Sequence, residues 1–101
     1  MKVNGYTIEP GASLVDAYLP RAYLKDADLT GANLTGAILW FSLLNGSKLK
    51  DANLAYADLT YADFTRANLE GADLTGADLT GADLTDANLR AATMPDSTIH
   101  D

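Results

Sequence analysis

The sequence predicts an all-β solenoid, a chain that turns within every five residues and winds into a coil with short extended sides. Three observations predict it. A large apolar residue recurs at every fifth position from Leu14 to Ile99, and fifteen of the sixteen leucines share that phase, with only Leu43 outside it. Two residues before each of these centres stands a small companion, Ala from Ala12 to Ala92 except for Ser42, and then Ser47 and Ser97. Two residues after many centres stand residues suited to a tight turn: Gly31, Gly36, Gly46, Gly71, Gly76 and Gly81, or Asp26, Asp51 and Asp86. On an α-helix five residues advance about 500°, so the centres would spiral around the cylinder. On a straight strand they would alternate between faces. A centre and its companion do share one face of an extended segment, so both point inward if each pentapeptide is one side of a narrow tube. Alanine as companion keeps that tube from being overfilled.

The elements follow in chain order. Residues 1–11 lack the repeat and carry Val3, Tyr6 and Ile8 around a turn signal at Asn4-Gly5, which reads as an N-terminal cap over an otherwise open solenoid end. Residues 12–101 are the repeat, eighteen pentapeptides with Phe64 replacing leucine at one centre as a core residue. The pattern degrades through Met94, Pro95 and Ile99. No comparable cap is expected at that end, where Pro95 removes a main-chain donor that would invite another chain.

Runs such as Ala72-Asp73-Leu74-Thr75-Gly76, Ala77-Asp78-Leu79-Thr80-Gly81 and Ala32-Asn33-Leu34-Thr35-Gly36 resemble the pentapeptide repeat proteins, whose motif is A(D/N)LXX. The resemblance implies a right-handed quadrilateral β-helix with four pentapeptides to a coil. That makes about four and a half coils and a rod of ~22 Å at the ~4.8 Å spacing of neighbouring strands. Positions twenty apart then stack. In that register Lys50, Glu70 and Arg90 form an alternating-charge column, Asp28 lies beneath Lys48, and Arg66 beneath Asp86. Asn33 with Asn53, and Asn68 with Asn88, are expected as stacked amide pairs.

Composition narrows the function. Seven Lys and Arg stand against fourteen Asp and Glu, for a net charge of -7, and the pI of about 4.3 argues against direct binding of nucleic acid, which needs clustered cations. No cysteine is present, which removes disulfides, thiol nucleophiles and Cys-ligated zinc. No apolar run approaches the ~20 residues of a membrane span, and the start lacks a signal-peptide core, so neither membrane nor secretion is expected and a cytoplasmic location is. The one histidine, His100, reads as a tail residue, and six of the twelve aspartates occupy the position before a centre, where the repeat itself places them outward. No cofactor, metal site or catalytic residue is therefore expected, and the chain reads as no enzyme.

One stretch breaks the outward pattern of Asp, Asn, Thr and Gly. In Ala37-Ile38-Leu39-Trp40-Phe41-Ser42-Leu43-Leu44 the outward positions are Ile38, Trp40, Phe41 and Leu43. In the twenty-residue register Ile38 stacks on Tyr18, Leu43 on Tyr23, and Arg21, Phe41 and Tyr61 share one corner, with the Arg21 guanidinium placed for a cation–π contact. Exposed apolar surface rich in Trp, Tyr and Arg marks a site for a protein partner or for self-association. Alternatively, Trp40 and Phe41 fold over their own coil or lie under residues 1–11. Farther along the same two sides stand Asp58 with Asp78 and Asp63 with Asp83, either a solvated acidic face or a partner surface. Some members of the family mimic DNA and bind type II topoisomerases such as DNA gyrase. This chain departs from them in its few coils, in having no C-terminal segment like a dimerising helix, and in basic residues that interrupt several columns.

Overall fold

The computed structural model describes residues 1–101. Its only regular strands are β1 (Lys2–Val3) and β2 (Tyr6–Thr7), an antiparallel hairpin pairing Lys2 with Thr7 and Val3 with Tyr6. Asn4 and Gly5 both have positive φ, 51° and 84°, the geometry whose twist matches two flanking strands.

From residue 12 the chain becomes a four-sided coil. Parallel bridges join residues twenty apart, from Ser13 with Asn33 to Asp73 with Thr93. The first coil is residues 12–31, the second 32–51, the third 52–71 and the fourth 72–91. Face one carries Ser13, Asn33, Asn53 and Asp73; face two Tyr18, Ile38, Asp58 and Asp78; face three Tyr23, Leu43, Asp63 and Asp83; face four Asp28, Lys48, Asn68 and Asn88. Each side is bonded alike. The centre's N–H donates to the next coil, as Leu34 N to Asn53 O at 2.7 Å, and the preceding residue donates to the coil before, as Asn53 N to Ala32 O at 2.9 Å. The companion of the next pentapeptide closes the turn, as Ala37 N to Leu34 O at 3.0 Å. Two residues after each centre from Leu14 to Leu89 the backbone enters the left-handed region, with φ near 60° at non-glycine corners such as Asp26 and Tyr56. The extents, 35 × 23 × 22 Å, have two nearly equal short axes, as a square tube requires.

The tube is filled by the centres and companions. Leu54, Leu59 and Phe64 are fully buried, as are the other centre leucines of the first three coils and nearly all their alanines, while Leu43, outside that phase, is exposed. Ser42 fits this interior because its Oγ donates to Leu19 O at 2.7 Å and accepts from Ala22 N at 3.1 Å. Ser47, equally buried, leaves its Oγ without a partner.

Where the residue before a centre is Asp or Asn, it serves a local bond. Its Oδ1 accepts the N–H two residues on, and the Thr hydroxyl where Thr stands there: Asn33 from Thr35 N at 3.1 Å and Oγ1 at 2.6 Å, Asp73 from Thr75 N at 2.9 Å. The expected asparagine pairs stand in register, Asn33 against Asn53 and Asn68 against Asn88, but no amide-to-amide bond joins them. Asn33, Asn53, Asn68 and Asn88 each turn their oxygen to their own turn, because a donor two residues away is held in place by the coil itself. The charge columns are likewise thinner than expected. Lys50 and Glu70 approach to 3.9 Å, the one ion pair, while Glu70 also meets Asn88 Nδ2 at 3.4 Å; Arg90 with Glu70, Arg66 with Asp86 and Asp28 with Lys48 form no ion pair. Exposed long side chains gain too little from such contacts to offset their rotamer entropy.

The ends differ. Ile8 is buried in the core, and Val3 and Tyr6 pack against it. Tyr6 also accepts the Tyr18 N–H at its hydroxyl, 3.1 Å. At the other end the eighteenth expected centre, Ile99, is 64% exposed. After Pro95 the chain reverses: Thr93 pairs antiparallel with Ile99, Met94 N donates to Thr98 O at 2.7 Å, and His100 N to Ala92 O at 2.8 Å. Asp96 accepts from Thr98 N at 3.1 Å, closing a turn that takes Ile99 out of phase.

Candidate protein-interaction surface

The outward anomaly lies on faces two and three and the corner between them. Along that corner Arg21, Phe41 and Tyr61 follow one another at φ of 56°, 59° and 57°, a conformation that glycine adopts freely and bulky residues rarely adopt. Their side chains form a pile. The Arg21 guanidinium carbon sits 5.1 Å from the Phe41 ring centroid and 5.7 Å from that of Trp40. Phe41 and Tyr61 stack with centroids 5.0 Å apart and planes 15° apart, and Trp40 meets Phe41 edge-on at 6.3 Å and 86°. The pile ends against Gly81 of the next coil, where an added Cβ would fall 2.3 Å from the Tyr61 ring.

All eight residues singled out in the sequence meet on this surface. Tyr18, Tyr23, Phe41, Leu43 and Tyr61 are exposed, with Tyr18 at 60% and Phe41 at 47%, and Arg21 is exposed as well; Ile38 and Trp40 are half-buried. The two alternatives therefore divide the patch. Trp40 is partly covered by Phe41 and Arg21 from its own and the neighbouring coil, whereas the hairpin reaches only the Tyr18 backbone and leaves the Tyr18 ring in solvent. Tyr56, 68% exposed at the opposite corner of face two, belongs to the same surface. The sequence carried its signal, an aromatic at a turn position, as at Phe41 and Tyr61.

The acidic residues stand where expected. Asp58 bridges to Asp78 on face two and Asp63 to Asp83 on face three. Each accepts from its Thr: Asp58 from Thr60, Asp63 from Thr65, Asp78 from Thr80 Oγ1 at 2.6 Å and Asp83 from Thr85 Oγ1 at 2.6 Å. The Thr80 hydroxyl, then the Thr80 N–H, hold the Asp78 carboxyl below the usual carboxylate range, and Thr85 does the same for Asp83. At neutral pH these two are anions. There is no pocket, no cluster of three or more potential metal ligands, and no helix long and apolar enough to cross a membrane.

These features define a β-solenoid of stacked pentapeptides with one aromatic surface. The family model described as Pentapeptide repeats matches residues 11–40, 39–71 and 52–90 with eight copies, and the chain belongs to that family. Its fold is accordingly the right-handed quadrilateral β-helix. A pentapeptide repeat protein of the Arabidopsis thaliana thylakoid lumen is 31% identical, covering 91% of this chain and 68% of its own, with a TM-score of 0.55. A pentapeptide repeat protein of Nostoc PCC 7120 is 38% identical over 71% of this chain and 64% of its own, with a TM-score of 0.51. HetL, a pentapeptide repeat protein of the cyanobacterium Nostoc sp. strain PCC 7120 involved in heterocyst differentiation regulation, is 37% identical over 89% of this chain and 52% of its own, with a TM-score of 0.37. The chain thus spans about two thirds of the first two and about half of HetL. No curated protein matches it.

Proposed function

We propose that the protein is a non-enzymatic module that presents a rigid surface to a protein partner, with Tyr18, Tyr23, Ile38, Trp40, Phe41 and Leu43 as contacts and Arg21 and Tyr61 completing the surface. One observation carries this reading. Arg21, Phe41 and Tyr61 occupy three successive left-handed corners, at a cost of roughly 1–2 kcal/mol each relative to glycine, and leave the Arg21 guanidinium and the Phe41 and Tyr61 rings partly in water. The same kind of corner is met elsewhere by Gly36, Gly46, Asp26 or Asp51, so the turn does not call for an aromatic ring, and rings stacked at the surface serve contact with something else. Trp and Tyr in a rigid frame lose little entropy when a partner covers them.

The test is Phe41→Gly, which removes the ring and relieves its backbone together. The melting temperature should hold within a few degrees, and a host protein retained by the wild type on an affinity column should be lost. A large melting loss would instead make the ring a clamp for its own coil. A partner retained equally by both proteins would end the reading.

A second reading, acidic mimicry of duplex DNA toward a type II topoisomerase such as DNA gyrase, draws on the Asp58–Asp78 and Asp63–Asp83 columns. On the same faces the second coil offers Ile38 and Leu43 in place of acid, and Lys48, Lys50, Arg66 and Arg90 interrupt other columns. Inhibition of gyrase supercoiling by a modest excess of the protein would put this reading first.

A further inference from the structure

Resting on that reading, we propose the chemistry of the partner: a polypeptide segment with apolar side chains beside Lys or Arg, laid along the rod over faces two and three. The two faces change character together along the axis. In the first and second coils their outward positions are Tyr18 with Ile38 and Tyr23 with Leu43; in the third and fourth they are Asp58 with Asp78 and Asp63 with Asp83. The change falls between the same two coils on both faces, so the surface has one apolar half and one anionic half.

The junction is built for a cation. Asp58 lies on the side of the third coil bounded by the corners Tyr56 and Tyr61, both exposed. A guanidinium or ammonium over Asp58 would lie between two exposed tyrosines, with the Asp78 anion in the next coil. No cation of this chain fills the place: the single ion pair is Lys50 with Glu70, and Arg21 stacks on Phe41 at the apolar half.

Charge decides among occupants. A second copy docked through the same two faces would bring either carboxylates or apolar side chains from its bridging positions onto these carboxylates, its Arg21 being stacked on Phe41, and anions desolvated without a counter-charge oppose association. A segment with Lys or Arg supplies the missing charge, and its apolar residues cover Ile38 and Leu43.

The protein carries its own reporter, since Trp40 is the only tryptophan and lies in the apolar half. The probe is a synthetic peptide with three Leu or Val residues followed by three Lys; the control replaces each Lys by Glu. The Lys peptide should shift Trp40 emission saturably and the Glu peptide should not. Asp58→Asn, Asp63→Asn, Asp78→Asn and Asp83→Asn combined should weaken binding about tenfold, with folding retained because Asn33 and Asn53 already make the same turn bond. A charge-matched variant off these faces, Asp28→Asn, Asp51→Asn, Asp73→Asn and Asp96→Asn, should bind like wild type. Equal losses in the two variants would reduce the effect to attraction by net charge and overturn the proposal, as would equal binding of both peptides or of neither. If no peptide binds and Phe41→Gly still loses its host partner, the charge inference fails while the interaction surface stands.

Discussion

The two ends of the solenoid solve different halves of one problem. At the N-terminal end the hairpin supplies a plug: Ile8 enters the core, and Leu14, Leu19, Leu24 and Leu29 of the first coil are buried as completely as those in the middle. It bonds little of the exposed edge, taking the Tyr18 N–H through Tyr6 while Gly11 N reaches Thr30 O at 2.8 Å. At the C-terminal end the returning tail does the reverse. It satisfies the edge of one side, with Ala91 N to His100 O at 2.9 Å and His100 N to Ala92 O at 2.8 Å, yet Leu79, Leu84 and Leu89 remain half-buried. The N–H groups of Leu79, Gly81, Leu84, Asp86 and Leu89, which in earlier coils would donate to the next turn, have no main-chain acceptor. Closing a solenoid's core and closing its hydrogen-bond ladder are therefore separable tasks. Only the first is needed to bury a coil's leucines.

The largest test of that contrast compares two identical truncations. Leu24→Ala should cost about 2–5 kcal/mol, the range for a fully enclosed leucine, and Leu84→Ala less than half as much, because its site is already wetted. Equal losses in chemical denaturation would mean that the fourth coil is sealed in solution. Amide hydrogen exchange resolves the same contrast at single groups. Leu54 N, bonded to Asp73 O at 2.7 Å, should exchange only on global or near-global opening, whereas Leu84 N should exchange orders of magnitude faster. Slow exchange at Leu84 would reveal a partner for the open edge. A smaller effect should come from Tyr6→Phe, which deletes the bond to Tyr18 N but keeps the apolar ring, at about 0.5–1.5 kcal/mol. No change in its melting temperature would leave the plug to Ile8 and Val3 alone.

Acidification should give the smallest effect and favour the C-terminal end. Four carboxyls have folded pKa values depressed by their Thr partners: Asp78, Asp83 and Asp96 late in the chain, and Asp28 in the first coil. A depressed folded pKa contributes stability that is present above the unfolded value and lost as pH falls through the folded one. Below about pH 4 stability should therefore decline, and exchange near Thr80, Thr85 and Thr98 should rise before that in the second coil. Asp78→Asn, which cannot titrate and keeps an acceptor oxygen, should flatten its share. An acid response uniform along the chain would detach these turns from the end effect.

Much of this was legible before any coordinates. The interior was, because each leucine and its alanine obey a single rule that the tube enforces at every side. The aromatic surface was, because Ile38, Trp40, Phe41 and Leu43 break the outward half of that rule. What escaped depended on competition between near and far partners. Ile99 keeps the five-residue phase, but Asp96 and Thr98 close a turn that reverses the chain first. The paired asparagines look like columns twenty residues apart, but their oxygens find a donor two residues away. Arg66 and Arg90 stand in register with carboxylates and still prefer water. Ser42 and Ser47 look alike as companions, yet only Ser42 lies where its hydroxyl can bridge Leu19 and Ala22.

At Gly76 an added Cβ would fall 2.5 Å from the Tyr56 ring, and at Gly81 2.3 Å from that of Tyr61. Each tyrosine leans toward the C-terminal end and claims the corner one storey above, so the identity at one floor constrains the next at a distance of twenty letters. A duplication or deletion of a single pentapeptide would shift every later corner by a quarter turn and set new neighbours above these rings. Lengthening or shortening of the rod by whole multiples of twenty preserves those vertical pairings everywhere except at the seam, so changes of that size are the ones the molecule tolerates best.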